Sequence, residues 1–264
     1  MRFLIIRKAD PKTEAAVLPT SEKPSTMGLH NAELEKARAA VMTEGLKPSA
    51  SGVRVLFSGG KTKVVEGPFT GTNQLVAGFT LIDAASKEEA VELVKRWPGI
   101  DSSDHDVEIE IRETGCPGGV EGVAPEEPEV ARPALPEGHR RYVAILKTTN
   151  HTETGYVADD SVLSRMSQTN GDSIKAGVML AGEGLKPSAR GARVKFSKGR
   201  TLVTDGPFAE AKELVAGFWM VRMPSIQAAV EWVKAYPFPL GPDNEGEVEV
   251  RELYEASDTG ALPG

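Results

Sequence analysis

The sequence predicts an α+β fold of two ferredoxin-like domains whose antiparallel sheets pack together as an intramolecular pseudo-dimer. Three observations lead there. Residues 44–113 recur 139 positions later, at 183–252, without insertion and with 35 of 70 positions identical. Each copy repeats the order strand, helix, hairpin, strand, helix, strand, which builds an antiparallel sheet with helices on one face. Between the copies, "CPGGVEGVAPEEPEVARPALPEG" has neither helical nor strand periodicity and reads as a tether.

The shift also pairs "RFLIIRK" with "RYVAILK", Met27 with Met166 and Asn31 with Asn170, so the unit of repetition is a whole domain. The expected division is 1–115 and 140–255, with a linker at 116–139 and a tail at 256–264. A period near 139 is too long for a solenoid, and each copy is expected to hold its own core.

Within the first copy, "RFLIIRK" is an apolar strand, and residues from about 26 to 43 follow a helical period through Met27, Leu34, Ala37 and Val41, with Gly45 as a C-terminal cap. "VRVLFSGGKTKVVEG" alternates around Gly59-Gly60 and predicts a hairpin. "LVAGFTLID" is another strand. Ser86 and Glu89 form a capping box before a helix whose apolar face is Ala90, Val91, Leu93, Val94 and Trp97. "DVEIEIRE" alternates apolar and charged residues, the pattern of a strand with one wet face. The other face of each sheet needs a cover, and the second copy is the nearest one.

The composition excludes several classes of function. With 40% hydrophobic and 26% charged residues among 264, the chain should fold as a globular protein. A net charge of −7 argues against general nucleic-acid binding, which needs a basic surface. The single cysteine, Cys116, rules out an intramolecular disulfide and reads as a solvated linker residue; with a four-residue apolar run before Arg7, too short for a leader or a span, the expectation is a cytoplasmic protein away from membranes. The histidines His30, His105, His139 and His151 share no metal-ligand spacing, so neither metal nor cofactor is expected. "FSGGKT" lacks the first glycine of a phosphate-binding loop, because residue 55 is Val55.

The chemistry-bearing candidates are the repeated polar segments. "EGLKPS" places Lys47 and Ser49 in one copy and Lys186 and Ser188 in the other. In "VTDGPFAEAKELVAGFW", Gly206 and Pro207 shape a turn, Phe208 can anchor it, and Asp205 is followed by Glu210, Lys212 and Glu213. A carboxylate near a lysine suits a general base with a tuned pKa, and it equally suits a surface ion pair. The first copy reads "VVEGPFTGTNQLVAGFT", with Glu66 and Phe69 in the turn and neutral Gly71, Asn73 and Gln74 beyond it.

The combination "EGLKPS…DGPFAEAKELVAGFW…AVEW…EVEVRE" resembles the DGPF proteins of the YCII-related family, across almost all of each copy. That resemblance implies ferredoxin-like domains dimerising through their sheets, in the dimeric α/β barrel group, here fused in one chain. Some relatives are enzymes, including a dehydrochlorinase, with a proposed His-Asp pair; carried onto this chain it points to Asp205, with no repeated histidine to complete the pair. The family's association with extracytoplasmic-function sigma factors implies a rival reading as a regulatory or sensing module with a protein partner. Whether the chain is an enzyme stays open. The expectation is a small organic ligand in a cleft near the seam, with Asp205 as base, Lys212 stabilising an anion, Asn170 (and Asn31 in the first copy) orienting, and Lys186, Ser188, Gly206, Pro207, Phe208, Glu210, Glu66 and Phe69 lining it.

Overall fold

In the computed structural model, residues 1–16, 40–71, 74–97, 106–123 and 135–259 are described. The first copy comprises β1 (Arg2–Lys8), α1 (Pro11–Glu14), β2 (Ala40–Gly45), β3 (Val53–Ser58), β4 (Lys61–Glu66), β5 (Val76–Asp83), α2 (Lys87–Lys95) and β6 (Val107–Glu113). The second comprises β7 (Arg140–Lys147), α3 (Asn150–Glu153), α4 (Asp160–Lys175), β8 (Met179–Gly184), β9 (Ala192–Ser197), β10 (Arg200–Asp205), β11 (Val215–Met223), α5 (Ile226–Ala235) and β12 (Gly246–Glu252), and α6 (Ala256–Thr259) follows. None of the described helices is long and apolar enough to cross a membrane.

Two six-stranded sheets result, β10-β9-β6-β1-β5-β2 and β4-β3-β12-β7-β11-β8. Four strands of each, β6-β1-β5-β2 and β12-β7-β11-β8, have the ferredoxin-like order. The remaining pair comes from the other copy: β9 runs antiparallel to β6 with Val194 opposite Ile109, and β3 runs antiparallel to β12 with Val55 opposite Val248. The copies therefore exchange their hairpins reciprocally. Each hairpin turns tightly because both central residues take positive φ, Gly59 and Gly60 in one and Lys198 and Gly199 in the other.

The fourth core strand corrects the sequence reading. Residues 40–43, expected to end a helix, belong to β2, and the earlier part of that expected helix, with Met27, His30 and Asn31, lies outside the described residues. In the second copy the equivalent helix α4 stops at Lys175, Gly177 takes a left-handed φ of 67°, and β8 begins at Met179. Met42 and Glu44 sit opposite Leu81 and Phe79 of β5, so tertiary pairing overrode a locally helical pattern.

The sheets pack face to face over a shared core that draws Leu4, Ile6, Phe79 and Leu81 from one copy and Val143, Ile145, Phe218 and Met220 from the other. Each such side chain contributes roughly 1.5–3 kcal/mol on burial. The outer faces carry the helices: Ala90 and Val94 of α2 are buried against the first sheet, and Ala229, Val230 and Val233 of α5 against the second. Ser86 caps α2 by accepting from Glu89 N at 3.2 Å, while the Glu89 carboxylate accepts from Ala85 N, one residue before the expected partner.

Candidate functional site

The repeated polar segments come together at two equivalent places where an exchanged hairpin joins the other copy's sheet. Ser188 is fully buried; its N–H donates to Glu153 Oε2 at 2.9 Å, and its hydroxyl accepts from Phe208 N at 3.1 Å. Arg112 donates to Glu110 at 3.0 Å and to the Lys186 carbonyl at 2.7 Å. Arg193 pairs with Glu110 at 3.1 Å and lies over the Phe208 ring at 4.1 Å. The same set recurs 139 residues away, in Ser49, Glu14, Phe69, Arg251, Glu249, Lys47 and Arg54, with Arg54 at 4.2 Å over Phe69.

These clusters overturn the expected wet face of "DVEIEIRE": Glu110 and Arg112 are buried because the exchanged segment covers them. Burial alone would raise the Glu110 pKa, but Lys8, Arg112 and Arg193 outweigh it and hold the carboxyl down at about 2. Burial pushes the Lys147 ammonium down to about 8, against the attraction of Glu249. Through these internal ion pairs the clusters fasten the hairpins, although Arg54 Nη2, Arg112 Nε and Arg193 Nη2 are buried without a hydrogen-bond partner among the described residues. Gly67 and Gly206 belong to the same joint, since a Cβ on either would run into the carbonyl oxygen of Ser49 or Ser188.

An open cavity of about 70 Å³ lies elsewhere in the second copy, between α4, the sheet and the start of the linker. Apolar side chains line most of it, among them Leu163, Met166, Met179 and Trp219. Cys116 also lines it, and Val123 bridges to Gly182, so this part of the linker is built into the fold. Two buried polar side chains reach the lining. Asn170 accepts from Tyr236 Oη at 2.6 Å, and Tyr236 in turn accepts from Trp219 Nε1 at 2.8 Å. Glu183, whose side chain is 7% exposed, has Arg2 as its ion-pair partner at 3.5 Å, and burial raises its carboxyl above the ordinary range while Arg2 opposes the shift.

Glu183 opens the repeated "EGLKPS" and was missed because nothing near it in the chain marks its burial beside a cavity. Its counterpart Glu44 has the equivalent partner, Arg141, but holds it more closely, at 2.8 Å and buried, whereas Arg2 is more exposed and shared with Asp83. The differing residues that carry this contrast lie far off in the chain.

Of the residues expected to form the site, Asn170 lines this cavity. Lys186, Ser188, Gly206 and Phe208 belong to one hairpin joint, and Phe69 to the other; Lys186 Nζ is held by Glu113 at 2.5 Å. Pro207, Glu210 and Glu66 are exposed. Asp205 ends β10 with its side chain 70% exposed, paired with Lys87 at 2.6 Å. Lys212 falls in the short turn Ala211–Glu213, and its side chain lies outside what the structure describes, as does Asn31. His151 meets Asp243 at 2.8 Å beside a second, open cavity of about 210 Å³, with both side chains exposed. No cluster of three or more His, Cys, Asp or Glu side chains able to hold a metal occurs among the described residues.

Comparison with known proteins agrees with the internal duplication. A family model for the YCII-related domain matches residues 1–113 and again 141–257. An uncharacterised protein of Rhizobium meliloti (strain 1021) is 30% identical over 95 residues, which cover 36% of this chain and 75% of that protein.

Proposed function

The chain belongs to the YCII-related domain family, carrying two copies of the domain, and from that premise we propose that it binds a small organic molecule in the second copy's cavity and exchanges a proton with it through Glu183. The observation that carries the reading is a buried carboxyl lining an apolar cavity, its pKa raised by that burial, an environment suited to proton exchange with a bound group. Asn170 is the orienting group. Asp205 is given no proton-transfer role here, because it stands outside the cavity, solvated and paired with Lys87.

The test is a thermal-shift screen of small neutral, acidic and basic compounds, followed by calorimetry in buffers of different ionisation enthalpy. Wild type should bind with proton uptake or release that E183Q lacks, and Ala216→Leu, which fills the cavity, should bind nothing. A ligand that binds Ala216→Leu as well as wild type overturns the proposal. An empty screen does so too, and favours instead the regulatory reading with a sigma factor as partner, tested by co-purification.

A further inference from the structure

Asn170 can present only one of its two polar ends to the cavity. The Trp219 indole N–H is a donor and cannot accept, so the Tyr236 oxygen accepts from it at 2.8 Å. The phenol then has one proton left, and among the described residues Asn170 is the acceptor for it, at 2.6 Å. The near end of the amide must therefore be Oδ1. Nδ2 remains, with no partner among the described residues, on a side chain only 8% exposed that lines the cavity. Nδ2 is not one of the fully enclosed unpaired atoms, so it opens onto the cavity and can meet an acceptor that a ligand brings.

The charges set a second condition. Glu183 and Glu121 are in the lining, with no lysine, arginine or histidine among the described residues. The nearby cation, Arg2, stands behind Glu183 and is shared with Asp83 at 3.0 Å. An incoming carboxylate would meet two carboxyl groups and find no counter-ion. The space is also small: about 70 Å³ compares with roughly 150 Å³ for an engineered cavity that admits benzene.

Resting on the reading above, we infer that the cavity selects an uncharged group of a few heavy atoms that offers an acceptor to Asn170 Nδ2 and a donor to Glu183, a carboxamide being the simplest, and rejects the matching carboxylate. Trp219 and Tyr236 are positioning residues for this choice. Among the described residues the relay occurs once, because the equivalents of Trp219 and Tyr236 in the first copy are Thr80 and Trp97, which cannot form it.

The probes are propionamide, propionate and propylammonium, titrated at neutral pH by calorimetry and ligand-observed NMR. Propionamide should bind at one site per chain, at least tenfold more tightly than propionate. Tyr236→Phe frees the Asn170 amide to rotate and should cut that preference several-fold; a merely structural role would weaken all probes alike. E183Q should narrow the preference from the other side, by admitting propionate. If Tyr236→Phe does not fold, Asn170→Leu replaces it, with loss of propionamide binding expected. Propionate binding as tightly as propionamide, and lost in Ala216→Leu, overturns the polarity inference while sustaining the cavity as a ligand site. Absence of binding by all three probes overturns the polarity inference, whereas the cavity reading then stands or falls with the wider screen.

Discussion

Phe79 and Phe218 occupy the same position in the two copies, 139 residues apart, and meet in the seam between the sheets with ring centroids 4.9 Å apart. Equivalent residues touch where a pseudo-two-fold axis passes, so the duplicated chain closes on itself as a homodimer would.

Truncation at the axis should be costly. Phe218→Ala is expected to lower stability by about 3–5 kcal/mol, the usual range for a buried aromatic. Because Phe79 loses its partner in the same step, the double variant Phe79→Ala/Phe218→Ala should cost less than the sum of the singles. Urea unfolding of the three variants measures both quantities.

The exchanged hairpins make neither copy complete alone. A fragment of residues 1–123 keeps β3 and β4 but loses β12, the strand they pair with. It should therefore self-associate through its own β6 or remain unfolded, and co-expression with residues 135–264 should restore a stable one-to-one complex. Size-exclusion chromatography with light scattering decides; a stable folded monomer of 1–123 would contradict the exchange.

The buried carboxylate Glu110 predicts an acid limb in the stability curve. Its folded pKa of about 2 lies below the ordinary 4.5, so its contribution is present above 4.5 and is lost as pH falls toward 2. E110Q removes that limb and strands Arg112 and Arg193, at a cost of about 3–5 kcal/mol near neutrality. Thermal unfolding from pH 2 to 7 should show the difference between wild type and variant shrinking as the pH drops.

Glu183 predicts the opposite slope. Its folded pKa is raised, so the stability it confers is complete below its unfolded pKa and is lost as pH rises through the folded value. E183Q should accordingly be more stable than wild type at neutral pH, with the advantage fading in acid. A carboxyl retained for the proton exchange proposed above would trade stability for function.

Gly206 has no room for a side chain, because the Ser188 carbonyl occupies the position of its Cβ. Gly206→Ala should destabilise by about 2 kcal/mol or more. Ala209→Gly, on the exposed part of the same loop, is the control and should change little.

The local sequence was sufficient for the duplication, the hairpin turns and most strands, because periodicity, Gly-Gly and capping residues act over a few positions. It singled out Asn170 because of repetition, whereas the orientation of that amide beside the cavity depends on Tyr236 and Trp219, 66 and 17 residues from their partners. Its misreading of β2 has the same origin: a short apolar segment next to a helix has an ambiguous period, and pairing with β5 resolves it. The alternating charges of β6 looked solvated because the sequence does not say what covers them.

By itself, then, the sequence determined that two copies of one α+β unit would fold and cover each other, since burial of matching apolar faces follows from composition and pattern. Only the tertiary structure decided which hairpin joins which sheet, and that Glu183 meets a cavity. Those choices depend on contacts between residues far apart in the chain, whose energies leave no periodic trace in the sequence near either partner.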